Sequence, residues 1–136
     1  MDTEPHLPVV AQAGNILIVE DDPEVRALLH LLLEGEGHTL HSADDGIAAL
    51  KLVADGSFIP DLVLTDYNLP HDMDGLQVAR KLRDILGATL PVIVLTGDIS
   101  TETMRDVAGH SCVQLNKPVK MSELMAAIHK VLLPAV

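Results

Sequence analysis

The chain has 136 residues, of which 48% are hydrophobic and 21% charged, and nine basic residues against twenty acidic ones give it a net charge of −11. This length suits one domain that buries its own core, and the acidic balance disfavours nucleic acid and anionic membranes as direct partners. One cysteine excludes an internal disulfide, and no apolar run approaches the roughly 20 residues needed to span a bilayer, so we expect a protein of the cytoplasm.

Short apolar runs alternate with amphipathic segments along the chain. Residues 1–14 hold two prolines and no regular period, which predicts a flexible tail or linker before a domain over residues 15–134. Strands are predicted at 15–19, 38–42, 61–65, 91–95 and 112–115, and helices at 23–35, 44–54, 75–86, 100–109 and 122–133. This alternation predicts a doubly wound α/β fold whose parallel sheet is covered by helices on both faces.

Capping residues and inward faces support the individual helices. Asp22 can cap the first helix, with Pro23 at its first position. Ser100 or Thr101 can cap the fourth helix. In the second helix we expect an inward face of Ile47, Leu50 and Val53 or Ala54, and in the third helix one of Leu76, Ala79, Leu82 and Leu86. The basic residues of the third helix, Arg80, Lys81 and Arg83, are predicted to be exposed, and Cys112 is expected to be a small core residue.

Polar residues follow four of the five predicted strands. They are Glu20, Asp21 and Asp22 after the first strand, Asp66 after the third, Thr96 after the fourth and Lys117 after the fifth. In a parallel sheet the carboxyl ends of the strands lie at one edge, where ligands bind, so these side chains are expected to share a pocket. Each feature alone is an ordinary cap, turn or loop residue; together they indicate a site.

The chemistry of such a pocket favours phosphoryl transfer. Crowded carboxylates repel one another, and a hard divalent cation such as Mg²⁺ offsets the repulsion. The Lys117 ammonium and the Thr96 hydroxyl could then hold phosphoryl oxygens while Asp66 acts as the nucleophile and forms an aspartyl-phosphate.

Four segments of the chain resemble the receiver domain of two-component response regulators, the family that includes the bacterial chemotaxis regulator. They are ILIVEDDPEVR, DLVLTDYNLP with DGL following, PVIVLTGD and NKPV, and the resemblance covers about residues 15–133. It implies a flavodoxin-like fold with a five-stranded sheet of order 2-1-3-4-5. It also implies that a histidine kinase or histidine phosphotransfer protein donates a phosphoryl group to the chain, which then loses it slowly by self-dephosphorylation. The resemblance implies that Asp66 is the phosphoacceptor and that Thr96 and Lys117 contact the phosphoryl group. It implies that the ligands of Mg²⁺ are Asp21, Asp66, the backbone carbonyl of Asn68 and, through water, Glu20.

Three departures from the family pattern stand out. The segment from Asp66 to Gly75 is one residue longer than the common form, at His71-Asp72. The segments DYNLP and TGDIS are more similar to receivers of hybrid sensor histidine kinases than to those attached to DNA-binding domains. Gln114 stands where the family has a Tyr or Phe that couples to the threonine of the site.

Two other functions compete with a phosphoacceptor. A phosphatase of the haloacid dehalogenase type also uses an aspartate nucleophile, but it needs a second Asp two residues later, where this chain has Asn68. A degenerate receiver that serves only as a protein-binding module is disfavoured by the complete set of acids, threonine and lysine. We expect no DNA-binding output domain in this chain, which would be a stand-alone regulator or a piece of a hybrid kinase, with its downstream partner open.

Overall fold

A computed structural model describes residues 13–132 and contains five strands and five helices in alternation. The strands are β1 (Asn15–Val19), β2 (Thr39–Ala43), β3 (Leu62–Asp66), β4 (Val92–Thr96) and β5 (Val113–Asn116). The helices are α1 (Pro23–Gly35), α2 (Gly46–Ala54), α3 (Gly75–Leu86), α4 (Thr101–Gly109) and α5 (Met121–Leu132). All strand pairs are parallel, in the order β2-β1-β3-β4-β5, which confirms the predicted fold.

The predicted tail falls largely on residues 1–12, which lie outside the described residues, as do residues 133–136. The division into a tail and a domain over residues 15–134 therefore stays a prediction. None of the helices within residues 13–132 is long and apolar enough to cross a membrane.

Two apolar layers cover the sheet, because alternate side chains of each central strand point to opposite faces. One layer joins α2 and α3 to the sheet through residues such as Leu17, Val63 and Val94. The other joins α1 and α5 to the opposite face through residues such as Ile18 and Leu64. With both faces covered, β3 and β4 are buried along their whole length, which fixes the position of the residues at their ends.

The inward face of α2 was predicted wrongly at Ile47, which is 47% exposed. The buried residues of this helix are Gly46, Ala49 and Val53, spaced three and four residues apart on one face. At Gly46 a side chain would collide with those of Met73 and Val78, so the absence of a side chain allows this part of the helix to pack closely against them. The inward face predicted for α3 is confirmed at Leu76, Ala79 and Leu82, with Leu86 partly buried.

The exposed position predicted for Arg83 was also wrong. Its Nε donates a hydrogen bond to the carbonyl of Leu90 at 3.0 Å, its Nη2 donates to that of Ser111 at 3.0 Å, and its Nη1 bonds the carbonyl of His110. The last carbonyls of a helix lack partners within the helix, so the turn after α4 offers acceptors that a guanidinium can reach. Arg83 thereby joins α3 to the turn between α4 and β5. The neighbouring Arg80 is exposed, as predicted.

The strand β5 begins one residue later than predicted, so Cys112 lies just before it and is half-buried rather than fully within the core. Burial raises the pKa of its thiol, and the nearby guanidinium of Arg83 offsets part of this effect. Such a thiol is less ionised than an exposed one, and therefore less reactive.

Candidate functional site

The predicted site residues converge at the carboxyl edge of the sheet. Asp66 ends β3, Thr96 ends β4, Glu20 follows β1 and Lys117 follows β5. The Nζ atom of Lys117 lies 2.6 Å from Oδ1 of Asp66. Carboxylate oxygens of Glu20, Asp21 and Asp66 lie within 4.8 Å of one another. The structure therefore brings three acids and one ammonium group into a single cluster.

The cluster is buried on the side of the sheet and open on the side of the loops. Glu20, Asp66 and Thr96 are at most 7% exposed, whereas Asp21 and Lys117 are exposed. A cavity of about 480 Å³ opens over these residues, and its far walls are apolar side chains of α1 and α5, including Leu28, Leu29, Met121 and Leu124. A ligand could therefore reach the Asp66 carboxylate from solvent.

Glu20 shows the electrostatic cost of this arrangement. Burial raises the pKa of its carboxyl above the usual value, the backbone N–H of Asp22 partly offsets this, and the charge of Asp66 adds to the rise. The N–H of Asp22 donates to Oε2 of Glu20 at 3.1 Å. A divalent cation would favour the ionised form, and carboxylate oxygens are the ligands that Mg²⁺ prefers. The acids present at this site therefore fit Mg²⁺.

Thr96 is held by backbone contacts on two sides. Its carbonyl accepts the N–H of Lys117 at 2.8 Å, which joins the ends of β4 and β5. Its hydroxyl oxygen accepts the N–H of Asp98 at 2.9 Å, so the hydroxyl proton can still be donated to a ligand. Asn68, predicted to offer its backbone carbonyl to the cation, lies exposed in the loop after β3, and that role stays a prediction.

The loop between β3 and α3 contains two consecutive left-handed residues, His71 (φ 67°) and Asp72 (φ 63°), at the position where the sequence predicts an additional residue. The Nδ1 atom of His71 lies 2.8 Å from Oδ2 of Asp45, the residue that caps α2. Gly75 begins α3 against the backbone carbonyl of Asp66, where a side chain would collide with that oxygen. The loop is therefore held in its middle by the contact of His71 with Asp45, and at its end by the N–H of Gly75, which donates to the carbonyl of Tyr67 at 2.8 Å.

Sequence reasoning missed two contacts beside this site. One is the His71–Asp45 pair, because residues 26 positions apart in loops have no periodicity that would connect them. The other is a hydrogen-bonded group of Asp98, Ser100 and Thr103, which joins the loop after β4 to the first turn of α4. The Asp-x-Ser-x-x-Thr spacing is a local signal that could have revealed it, since Asp and Ser side chains bond backbone N–H groups two or three residues later. The predicted cap of α4 is confirmed at Ser100.

Comparisons with known proteins agree on one family. The response regulator receiver domain family matches residues 16–129. The chain is 37% identical over 118 residues to the response regulator MprA of Mycobacterium sp. strain KMS, and equally to MprA of Mycobacterium leprae, covering 86% of this chain and 50% of each relative. The chain thus spans about half the length of these relatives.

Solved structures resemble the chain over most of its length. The signal receiver domain of a signal transduction histidine kinase from Syntrophus aciditrophicus aligns with a TM-score of 0.77 and 30% identity, over 88% of this chain and 90% of that one. A response regulator receiver protein from Pseudomonas putida aligns with a TM-score of 0.76 and 30% identity, over 89% and 99%. The chemotaxis response regulator CheY4 of Vibrio cholerae, at 24% identity, shares the fold with a TM-score of 0.78 over 89% and 100%.

Proposed function

Since this chain belongs to the response regulator receiver domain family of two-component systems, we propose that it takes a phosphoryl group onto Asp66 in a Mg²⁺-dependent reaction. The donor is a phosphorylated histidine of a histidine kinase or of a histidine phosphotransfer protein, in the cytoplasm. The observation that carries the proposal is the 2.6 Å contact between Lys117 Nζ and Asp66 Oδ1 beside two further carboxylates at the mouth of an open cavity.

The proposed reaction is an in-line displacement at phosphorus. A carboxylate oxygen of Asp66 attacks, the P–N bond to the donor imidazole breaks, and the departing nitrogen keeps the electron pair and is protonated by solvent. The Lys117 ammonium is already in place to contact a phosphoryl oxygen, and the Thr96 hydroxyl has a proton to donate to another. Bound Mg²⁺, held by Asp21, Asp66, the Asn68 carbonyl and, through water, Glu20, would offset the negative charge of the phosphoryl oxygens.

The acyl phosphate formed in this way is an anhydride that water can attack at phosphorus, which returns the Asp66 carboxylate and inorganic phosphate. Asp66 is buried, at 7% exposed, so water can approach its carboxylate only through the open cavity, and this supports slow rather than rapid loss of the phosphoryl group. Asn68 stands two residues later, where a phosphatase would place a general acid, so rapid turnover of small phosphate esters has no support.

The test uses acetyl phosphate as a small donor with Mg²⁺, followed by intact-mass measurement and treatment with base. We expect one phosphoryl group per chain, labile to base, which disappears in Asp66→Asn and when EDTA removes the cation. Asp72→Asn is the matched control, because Asp72 is an exposed acid of the neighbouring loop at a left-handed position that Asn adopts readily. Equal labelling of Asp66→Asn and the unmodified chain would refute the proposal.

A further inference from the structure

The loop between β3 and α3, residues 67–74, starts and ends beside Asp66. At its start the N–H of Tyr67 donates to the carbonyl of Leu95 at 2.8 Å, which continues the pairing of β3 with β4. At its end the N–H of Gly75 donates to the carbonyl of Tyr67 at 2.8 Å. Both ends of the loop are therefore fixed by the sheet, and the residues between them depend on other contacts.

Alternate side chains of this loop contact the helices on one face of the sheet. Tyr67, Leu69 and Met73 pack against the apolar layer that contains α2 and α3. His71 is the polar member of this alternation, and its Nδ1 lies 2.8 Å from Oδ2 of Asp45. This contact is therefore the polar link between the middle of the loop and α2.

Asp45 is a well-held partner for His71. Its Oδ1 accepts the N–H of Ala48 at 2.7 Å and so caps α2, while its Oδ2 faces the imidazole. The N–H of Ala48 and the imidazole of His71 hold the pKa of the Asp45 carboxyl below its usual value, so the group is a charged acceptor at neutral pH. Hydrogen bonds to a charged acceptor are roughly twice as strong as those between neutral groups. The bond therefore ties the loop to the first turn of α2.

The backbone of the loop at this point requires such a contact. His71 and Asp72 both have left-handed conformations, with φ of 67° and 63°. This conformation is uncommon outside glycine, although His and Asp adopt it more readily than most residues, and it persists where the surrounding structure holds it. Asp72 is exposed, and Met73 lies against Gly46 at the start of α2. The two left-handed residues are thus held from the α2 side.

We propose that His71 is a positioning residue for the Mg²⁺ site, because its hydrogen bond to Asp45 fixes the segment 68–70 that follows Asp66. This inference rests on the Mg²⁺ site of the proposed function, in which the backbone carbonyl of Asn68 is a ligand of the cation. His71 does not contact the cation itself and acts through the backbone of the loop.

The segment 68–70 lies between two fixed points. Tyr67 is held by the sheet before it, and His71 is held by α2 after it. Pro70 restricts the backbone further, since its ring fixes its own φ and disfavours the helical region for Leu69. Without the bond at His71 a cation would have to order the segment as it binds, and this ordering costs affinity. The bond should therefore affect the binding of Mg²⁺ rather than the transfer step in the loaded site.

The experiment measures the dissociation constant for Mg²⁺ by titration calorimetry and the rate of labelling by acetyl phosphate at saturating Mg²⁺. Asp45→Ser removes the acceptor of His71 but keeps a residue that caps helices well. Asp44→Ser is the matched control, because it removes the same charge from the exposed neighbouring residue. His71→Gly removes the donor and retains the left-handed conformation, which protects the test against a folding defect in Asp45→Ser. A chain with both substitutions tests whether the two residues act through each other.

We expect Asp45→Ser and His71→Gly each to raise the dissociation constant for Mg²⁺ about fivefold, the equilibrium factor of one ordinary hydrogen bond. The chain with both substitutions should show no further rise, because the second change removes a bond that is already lost. The labelling rate at saturating Mg²⁺ should be unchanged in all of these chains. Asp44→Ser should match the unmodified chain in both properties.

An unchanged dissociation constant in Asp45→Ser or His71→Gly, an equal rise in Asp44→Ser, or additive rises in the combined chain would overturn the inference while the proposed function stood. A labelling rate at saturating Mg²⁺ that fell along with the affinity would indicate a general disturbance of the site and would overturn it too. If Mg²⁺ binding changed as expected but the unmodified chain were not labelled at Asp66, the proposed phosphoryl transfer would be refuted and the inference would stand. The absence of Mg²⁺ binding in the unmodified chain would refute both.

Discussion

Lys117 is the side chain on which the proposed chemistry can be tested most directly. Its ammonium lies 2.6 Å from Asp66 and is exposed on its other side, so it can move from the carboxylate to a phosphoryl oxygen without being drawn out of a core. We expect Lys117→Met to lower the rate of labelling by acetyl phosphate about 100-fold, the order found when one charge-stabilising donor is removed from an active site. Time courses of intact mass measure this rate.

The Lys117→Met substitution should not weaken Mg²⁺ binding, although it lowers the rate of labelling. Removing a positive charge from beside three carboxylates leaves them more negative, so Lys117→Met should bind Mg²⁺ at least as tightly as the unmodified chain. Lys120→Met, which removes an exposed lysine three residues later, should leave both properties unchanged. A parallel loss of labelling and Mg²⁺ binding in Lys117→Met would indicate a disrupted site instead of a lost phosphoryl contact.

His38 gives a prediction about pH that does not involve the acidic cluster. Its Nδ1 accepts the N–H of Gly14 at 3.1 Å in a buried position, and burial lowers the pKa of the imidazole, with a smaller contribution from His129. Below the ordinary histidine pKa of about 6.5 the unfolded chain binds a proton that the folded chain does not accept. Stability should therefore rise with pH between the lowered pKa and about 6.5 and stay flat above it.

Urea unfolding at a series of pH values checks this expectation. His38→Asn keeps an acceptor for the Gly14 N–H and removes the titrating ring, so the slope of stability against pH should be shallower than in the unmodified chain. All other titrating groups are shared by the two chains and cancel in the difference. Identical slopes in His38→Asn and the unmodified chain would show that His38 does not cause this pH dependence.

At the scale of helices and strands, Arg83 connects separate segments of the chain, and its loss should lower the free energy of unfolding. Its guanidinium bonds three backbone carbonyls that belong to the segment before β4 and the turn after α4. Arg83→Met keeps much of the apolar stem and removes all donors, and we expect a loss of about 2 kcal/mol in the free energy of unfolding, within the range for hydrogen bonds to a charged group. Arg80→Met, an exposed position on the same helix, should change it by less than about 0.5 kcal/mol. Urea unfolding measures both values. Similar losses in the free energy of unfolding of the two variants would show that the hydrogen bonds of Arg83 do not stabilise the fold.

Periodicity and strand-end residues predicted most of the architecture, and the errors have a common physical cause. The positions of β1, β3 and α3 follow from local patterns, because a buried strand or a one-sided helix must show them in its own sequence. The outward turn of Ile47 and the inward turn of Arg83 depend on neighbours distant in the chain.

The candidate site, too, contains contacts that local patterns predict and contacts that they do not. Asp66 and Lys117 were predicted as neighbours because parallel strands deliver their carboxyl ends to one edge. The contact between His71 and Asp45 joins two loops, and loop conformations are set by tertiary packing that no local pattern contains. The sequence predicts an additional residue near His71, but it predicts neither the left-handed conformation of His71 nor its contact with Asp45.

The whole chain has a net charge of −11, to which the three acids of the cluster contribute. A cation can therefore stabilise the folded protein in two ways, by binding at the cluster or by screening the general negative charge. A specific Mg²⁺ site stabilises the folded chain by mass action, by about 1.4 kcal/mol at a concentration ten times the dissociation constant. Screening of the general charge would also stabilise, but any salt at equal ionic strength would do so equally. Urea unfolding in MgCl₂ and in NaCl of matched ionic strength therefore separates the two contributions.

The Mg²⁺ contribution should depend on pH through Glu20. Because burial raises the pKa of this carboxyl, the folded chain binds a proton that the unfolded chain has lost, so the metal-free protein loses stability as pH rises from about 4.5 through the raised pKa. Mg²⁺ bound at the proposed site would compete with that proton, so its stabilising effect should be larger at pH 7.5 than at pH 5. Asp21→Asn removes one ligand and one repulsive charge, so this variant should be at least as stable without metal and gain little from Mg²⁺. An equal gain from Mg²⁺ in Asp21→Asn and the unmodified chain would place the cation away from this cluster.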